Sequence, residues 1–427
     1  MRCDSLRSFV LLIFITLLLV SSGCAISSTS RQTGQSPLTV EEEQDLGQRA
    51  YAQLIQRMGG VYPDKELNNY VNRIGQWLID GSQYSESKFR FQVLNDSVPN
   101  VFSLPDGSVA ITRGLLVKLQ TDAQLAAVLG GEIGHIVSRH QLEGLRVQDL
   151  RFQQVNLLEE LSVGSEYTPL VSSLAKVGAD LINKQYSRDQ ELAADRIGVD
   201  LMVAAGYQAT AAVAVQDSFL SQAAGDNDLR QLFKNHPFSE KRLNSILSYI
   251  GDQYPQGNGR SSETDFNVAV DSLRQLEGGY ALYDRGRQLE QQGLVAEAIE
   301  SYHGALLLAP DEPLILASLG LSYLRNEDTV PARRYLLKSV NLQGDYAQSR
   351  LGLGYVYSQK WQYAQALSHL EKSMELLPTV EAAFLLADAQ QNVGQKVKAR
   401  DLYLIVASAD RSGKLGQLAE TRLQQFK

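Results

Sequence analysis

The sequence predicts a mainly α-helical chain: a helical domain with a small β-sheet comes first, and an α-solenoid of paired helices follows. Three observations carry this. Apolar residues recur at helical spacing over much of the 427 residues, period-two alternation is confined to a stretch between Phe89 and Ile111, and small residues repeat 34 positions apart in the last third. With 44% hydrophobic and 21% charged residues the chain is long enough for two or three domains with real cores. Its formal charge of -8, without long single-sign runs, disfavours a nucleic-acid partner, because phosphates must be met by clustered Lys and Arg; a peptide or protein partner fits better.

The first stretch is a targeting segment. Arg2 and Arg7 precede an apolar run from Phe9 to Val20, broken only by Thr16, and Ser21, Ser22, Gly23 and Cys24 follow. The run falls short of the roughly 20 residues that span a bilayer, so residues 1–23 read as an export signal. Cys24 after a small-residue site resembles the lipobox of bacterial lipoproteins, with Ser21 where that motif usually has Leu; the other reading is an ordinary cleaved signal with an incidental Cys. On the first reading Cys24 is lipidated, Ala25 favours the outer membrane by resemblance, and residues 24–38, rich in Ser, Thr, Gly and Gln, form a flexible tether. Cys3 leaves with the signal, so the exported chain has no internal disulfide.

A folded domain is expected over 39–250. Thr39 with Glu42 makes a capping box for a helix to about Met58, and Asp64 caps a second whose Leu67, Val71, Ile74 and Leu78 share one face. Phe89, Phe91 and Val93, then Val109 and Ile111, alternate with polar residues as short strands flanking the turn-rich VPNVFSLPDGS. Thr121 with Gln124 starts the next helix, and Ser187 with Gln190 starts one that ends near Gly206.

The chemistry lies on these two helices. Gly131-Glu132-Ile133-Gly134-His135 keeps the general base and second metal ligand of a zinc-protease helix, in which two His four apart would bind from one face, but has lost the first ligand. In SRDQELAADR, Glu191 and Asp195 also lie four apart, as suits a carboxylate ligand and a second carboxylate that orients a ligating His; a solvated acidic face is the alternative.

The stretches LGQRAYAQL, YVNRIGQWL, PNVFSLPDGSVAITRGLL, DAQLAAVLGGEIGHIVSRH, YSRDQELAADRIGVDLM, AAGY and NHPFSEKRL resemble, in order, the periplasmic BepA-type zinc metallopeptidases, relatives of the Oma and HtpX proteases. The resemblance implies a gluzincin fold, endopeptidase activity on unfolded or misassembled proteins, and a role in outer-membrane protein quality control. By position it makes His135 and Glu191 zinc ligands, Glu132 the general base and Asp195 a second-shell residue. Gly131 departs from the pattern, and a two-ligand site should hold zinc far more weakly than the usual three. Nor does anything local recommend the change, since each helix-interior Gly costs about 1 kcal/mol relative to Ala.

His236, in NHPFSEKR, is a candidate substitute or regulatory ligand, since the resembling enzymes carry a His-Pro loop near the zinc; simple packing beside Pro237 is the alternative. His140, five residues after His135, should point away from its face and serve structure. Arg242 is a candidate oxyanion donor. The strand Ser108–Thr112 is the expected edge for an extended substrate.

A polar linker is expected over 251–267. Beyond it, over 268–427, Gly286, Gly320 and Gly354 recur 34 apart, as do Ala298, Ala332 and Ala366, with Tyr323 and Tyr357 in one frame and Pro310 and Pro378 in another. This is the period of tetratricopeptide repeats, and a fourth unit one residue short carries Ala399 and Tyr403. The repeats would recruit substrates or protein partners, the outer-membrane assembly machinery among them. His303 and His369 fall within these helices and read as packing or solvated residues. Three functions fit: a periplasm-facing zinc endopeptidase, a pseudopeptidase working as chaperone or adaptor, or a plain repeat scaffold. Retention of Glu132, His135, Glu191 and Asp195 speaks against the last.

Overall fold

The computed structural model describes residues 38–143, 182–223 and 225–426; the signal, Cys24 and the tether up to residue 37 lie outside the described residues. Among those described, no helix is long and apolar enough to cross a membrane.

The caps fall where the sequence puts them. Helix α1 (Val40–Arg57) opens on the reciprocal Thr39–Glu42 box, and α2 (Lys65–Asp80) has the Asp64 carboxylate accepting from the Leu67 amide. The sheet comprises β1 (Arg90–Leu94), β2 (Val101–Ser103) and β3 (Ser108–Thr112) in the order β1-β3-β2. Phe91 pairs with Val109 in the parallel β1–β3 ladder, and Phe102 with Ala110 in the antiparallel β2–β3 ladder. Two expectations change here. β2 lies inside the stretch read as turn, because its three residues are all buried and show no alternation. β3 is the central strand with both edges taken, so it is not the expected free edge for an extended chain.

After the short α3 (Arg113–Leu116) comes α4 (Asp122–Val137), capped by Thr121, and across from it α5 (Arg188–Ala204), boxed by Ser187 and Gln190. These two helices carry the chemistry and touch along their backbones. A Cβ on Gly134 would sit 2.6 Å from the Ala194 carbonyl oxygen, and one on Gly130 3.0 Å from that of Gly198. The propensity cost of these two glycines is thus offset by packing that no larger residue permits. Gly131 differs: its Cβ would meet nothing within 4 Å.

The domain closes with α6 (Ala211–Gln222), α7 (Asn227–Asn235) and α8 (Glu240–Gln253). The segment read as a linker, 251–267, is folded against this domain. α8 runs into it, Ser262 caps α9 (Glu263–Gln275), and the Ser262 amide donates to Asp122 Oδ1 at 2.6 Å. Phe266, Val270 and Leu273 on α9 join the same core as Val71 and Ile133. The polar composition before residue 263 hid a helix whose apolar face begins only at Phe266.

The repeats form four antiparallel pairs: α10 (Glu277–Gln291) with α11 (Val295–Leu308), α12 (Pro313–Arg325) with α13 (Thr329–Leu342), α14 (Ala347–Gln359) with α15 (Tyr363–Leu376), and α16 (Val380–Asn392) with α17 (Lys396–Ala409). Helix α18 (Lys414–Leu423) packs on the last pair. The period has a steric cause. A Cβ on Gly286, Gly320 or Gly354 would run into the side chain of Tyr302, Leu336 or Leu370 from the partner helix, and Ala298, Ala332, Ala366 and Ala399 are fully buried.

The array is bonded to the first domain. The Gln56 amide donates to the Asp345 carbonyl and accepts from the Ala347 amide, each at 2.8 Å. Buried Glu312 receives Asn95 Nδ2 at 2.7 Å and the Tyr280 hydroxyl at 2.9 Å.

Candidate metal centre

Helices α4 and α5 and the segment between α7 and α8 bring Glu132, His135, Glu191, Asp195, His236 and Arg242 to one buried place, none more than 9% exposed. Glu191 and Asp195 are one turn apart on α5, and Glu132 and His135 share a turn of α4, so the helix pair aims all four inward. His236 ends α7, and its backbone amide reaches the Leu232 carbonyl. Phe238, two residues on, packs on Phe219 and Phe233 with ring centres 5.8 and 4.7 Å apart and pins the loop.

The distances define a tight cluster. Glu191 Oε1 lies 3.5 Å from His135 Nε2 and 3.1 Å from His236 Nδ1, while His236 Nε2 lies 3.6 Å from Glu132 Oε1. Donor atoms of Glu132, His135 and His236 all fall within 4.8 Å of one another. Arg242 closes the far side, giving Nε and Nη2 to the two oxygens of Asp195 at 2.6 and 2.7 Å and pairing Nη1 with Glu191 Oε2.

Charge follows from this arrangement. Three carboxylates face one guanidinium, which leaves two formal negative charges if both imidazoles are neutral. Burial alone would raise the Glu191 carboxyl, but Arg242 and His236 overcome it and hold Glu191 well below the usual carboxylate range. Burial alone would lower His236, yet Glu191 and Glu132 together raise it, so its proton is retained above the usual histidine value. Burial disfavours the charged Arg242 as well, and Asp195 and Glu191 more than restore it.

Do these residues fit a divalent cation? Two imidazoles and two carboxylates converge, their excess negative charge matches such an ion, and Glu132 Oε2 is buried with no hydrogen-bond partner among the described residues. They fit. Because His236 bridges two carboxylates with both ring nitrogens, a metal must compete with its proton for one of them.

Several expectations shift. Arg242 was read as an oxyanion donor, but its guanidinium is buried and engaged by Glu191 and Asp195. Asp195 orients that arginine rather than a histidine, with Gln216 Nε2 also donating to it at 3.2 Å. His140 was expected to point away from His135, yet the two Nδ1 atoms lie 3.0 Å apart. The helix ends at Val137 and Arg139 takes φ of +57°, so helical angular arithmetic no longer applies at residue 140. Tyr186 was missed altogether: its ring stacks on His135 at 3.7 Å, and its backbone amide donates to Asn235 beside His236. No residue-type pattern marks it, since its role comes from where the irregular segment 184–187 ahead of α5 places its ring.

Gly131 lines the same cavity, of about 60 Å³, with Glu132, His135, Glu191 and His236. The missing side chain has left open space where α4 points at the cluster.

Residues 65–250 match the model of Peptidase family M48. The chain is 22% identical over 444 residues to the beta-barrel assembly-enhancing protease of Escherichia coli K12, covering 91% of this chain and 87% of that one. It is 33% identical over 150 residues to the mitochondrial metalloendopeptidase OMA1 of Arabidopsis thaliana, 35% of this chain and 29% of the relative. A Vibrio cholerae protein matches at 25% over 217 residues, 49% of this chain and 44% of its own length. The chain thus spans less than half of two of these three relatives. Among solved structures, PilF of Pseudomonas aeruginosa aligns at 15% identity and a TM-score of 0.34, over 49% of this chain and 95% of that one.

Proposed function

We propose that this chain, whose residues 65–250 form a Peptidase family M48 domain, is an exported zinc metalloendopeptidase of outer-membrane protein quality control in which His236 supplies the ligand missing at Gly131. The observation that carries the reading is the position of His236, within hydrogen-bonding reach of Glu191 and close to Glu132, in the cavity that Gly131 also lines.

His135, Glu191 and His236 would hold the ion. When bound, zinc supplies a Lewis acid for a peptide carbonyl and lowers the pKa of water. The chain's own residues do the rest. Glu132, with Oε2 unpartnered, takes the proton of the attacking water and returns it to the leaving amine. Arg242, itself held by Asp195, together with His236 keeps Glu191 in its ionised form. Tyr186 and His140 fix the ring plane and tautomer of His135. An extended substrate pairs along β2, whose Val101 lines the cavity, and the repeats recruit unfolded or misassembled proteins or the outer-membrane assembly machinery. A lipid on Cys24 would keep the chain at the outer membrane.

Digestion of an unfolded protein such as reduced casein tests this. Cleavage should be abolished by a chelator and fall about 100-fold or more in Glu132→Gln. A second reading, favoured by Gly131, is a pseudopeptidase that binds such chains as chaperone or adaptor; it predicts binding with no cleavage in either protein.

A further inference from the structure

We infer that the opening at Gly131 is a binding pocket for an imidazole ring brought by another molecule, which adds a further ligand to the metal centre from outside the chain. The inference rests on the zinc reading above.

The pocket is defined by what is missing. On α4, residue 131 lies four before His135 and therefore on the same face, directed at the cluster. A Cβ there would meet nothing within 4 Å, whereas at neighbouring Gly130 and Gly134 it would meet the backbone of α5. The helix therefore has no packing reason for glycine at 131. The cavity that position 131 opens into, shared with Glu191, Asp195, His236 and Arg242, is about 60 Å³, several times the roughly 10–15 Å³ that admits one water.

Its surroundings suit a flat ring with one polar end. Val101, Val199 and Met202 make apolar walls. At the floor stand His135 and Glu132, and Glu132 Oε2 is a buried acceptor without a donor among the described residues. An azole N–H satisfies that oxygen in the metal-free protein, and the unprotonated nitrogen is a donor of the kind zinc takes.

The pocket is also reachable. Gly131, Ala127 and Val128 are partly exposed along one side of α4, while Glu132 and His135 below them are buried. A ligand can enter past the residue where the ring would otherwise be rooted. Two sources present this chemistry, a small free imidazole and the histidine of a bound chain.

Zinc dissociation constants of the full chain, measured with and without 4-methylimidazole, test the pocket, with Gly131→Leu and Gly131→His in parallel. At position 131 a Cβ meets nothing within 4 Å, and circular dichroism and the thermal midpoint check that each variant is folded. We expect 4-methylimidazole to tighten zinc by at least about tenfold in the parent and to have little effect in either variant, one having its pocket filled and the other carrying its own ring. Equal tightening in all three places the probe on an open coordination position and overturns the inference. Zinc binding that ignores the probe in the parent also overturns it and leaves the zinc reading standing. Absence of zinc from every protein, Gly131→His included, overturns both. Capped Ala-His-Ala and Ala-Phe-Ala peptides separate the sources: an effect of the first alone among the two assigns the pocket to a histidine of a bound chain, and an effect of 4-methylimidazole without either peptide assigns it to a small azole.

Discussion

At the scale of single residues, the centre is a buried charge cluster in which each group is held by its neighbours. Arg242 gives both nitrogens of its fork to Asp195 and a third to Glu191, so neutralising Asp195 leaves a buried cation half compensated. We expect Asp195→Asn to lower unfolding stability by about 3 kcal/mol, read from urea midpoints. A loss under about 0.5 kcal/mol would show that the pair is not the support described. Much of this cluster was legible: Glu132, His135, Glu191 and Asp195 stand at helical spacings whose geometry is fixed, and NHPFSEKR carries His236 and Arg242. Roles were harder. Whether Arg242 faces a substrate or a carboxylate depends on the tertiary placement of α8 against α5, which no local pattern encodes. Tyr186 and His140 act through non-helical chain turns, beyond the reach of periodicity.

At the scale of elements, caps and period gave α1, α2, α4 and α5 nearly to the residue, since Thr39, Asp64, Thr121 and Ser187 satisfy amides that nothing else nearby can. β2 and α9 escaped because one is buried on every residue and the other follows a polar stretch. The repeat turns hold a further regularity. Gly293, Glu327, Trp361 and Gly394 sit at the same turn of successive pairs, with φ of 80°, 60°, 59° and 86°. Two of these four are L-residues in the left-handed region, which costs about 1 kcal/mol each. Glu327, exposed, makes the cleaner test: Glu327→Gly should raise stability by up to about 1 kcal/mol in thermal or urea unfolding, and a loss would mean that its side chain contributes more than its backbone costs.

At the scale of the whole molecule, the repeats and the first domain are joined by buried polar bonds that composition cannot reveal. Glu312 is central: Asn95 and Tyr280 donate to it, yet burial prevails and holds its carboxyl above the usual range. A folded-state value above the unfolded one means that the contribution of Glu312 is fully present below the unfolded carboxylate value and is lost as pH rises through the folded one. Glu312→Gln should therefore stabilise the chain at neutral pH and flatten the pH dependence of its unfolding midpoint just above the normal carboxylate range. A destabilised variant at neutral pH would show that the ionised form holds the two parts together.

All of this turns on whether a centre lacking one histidine on α4 still holds a metal through His236. The most direct measurement is zinc content per chain after purification without a tag and incubation with zinc, for the parent and His236→Ala. The account predicts about one zinc per chain in the parent and little in the variant. A parent chain that remains free of zinc, or a His236→Ala chain that retains it in full, would contradict the account.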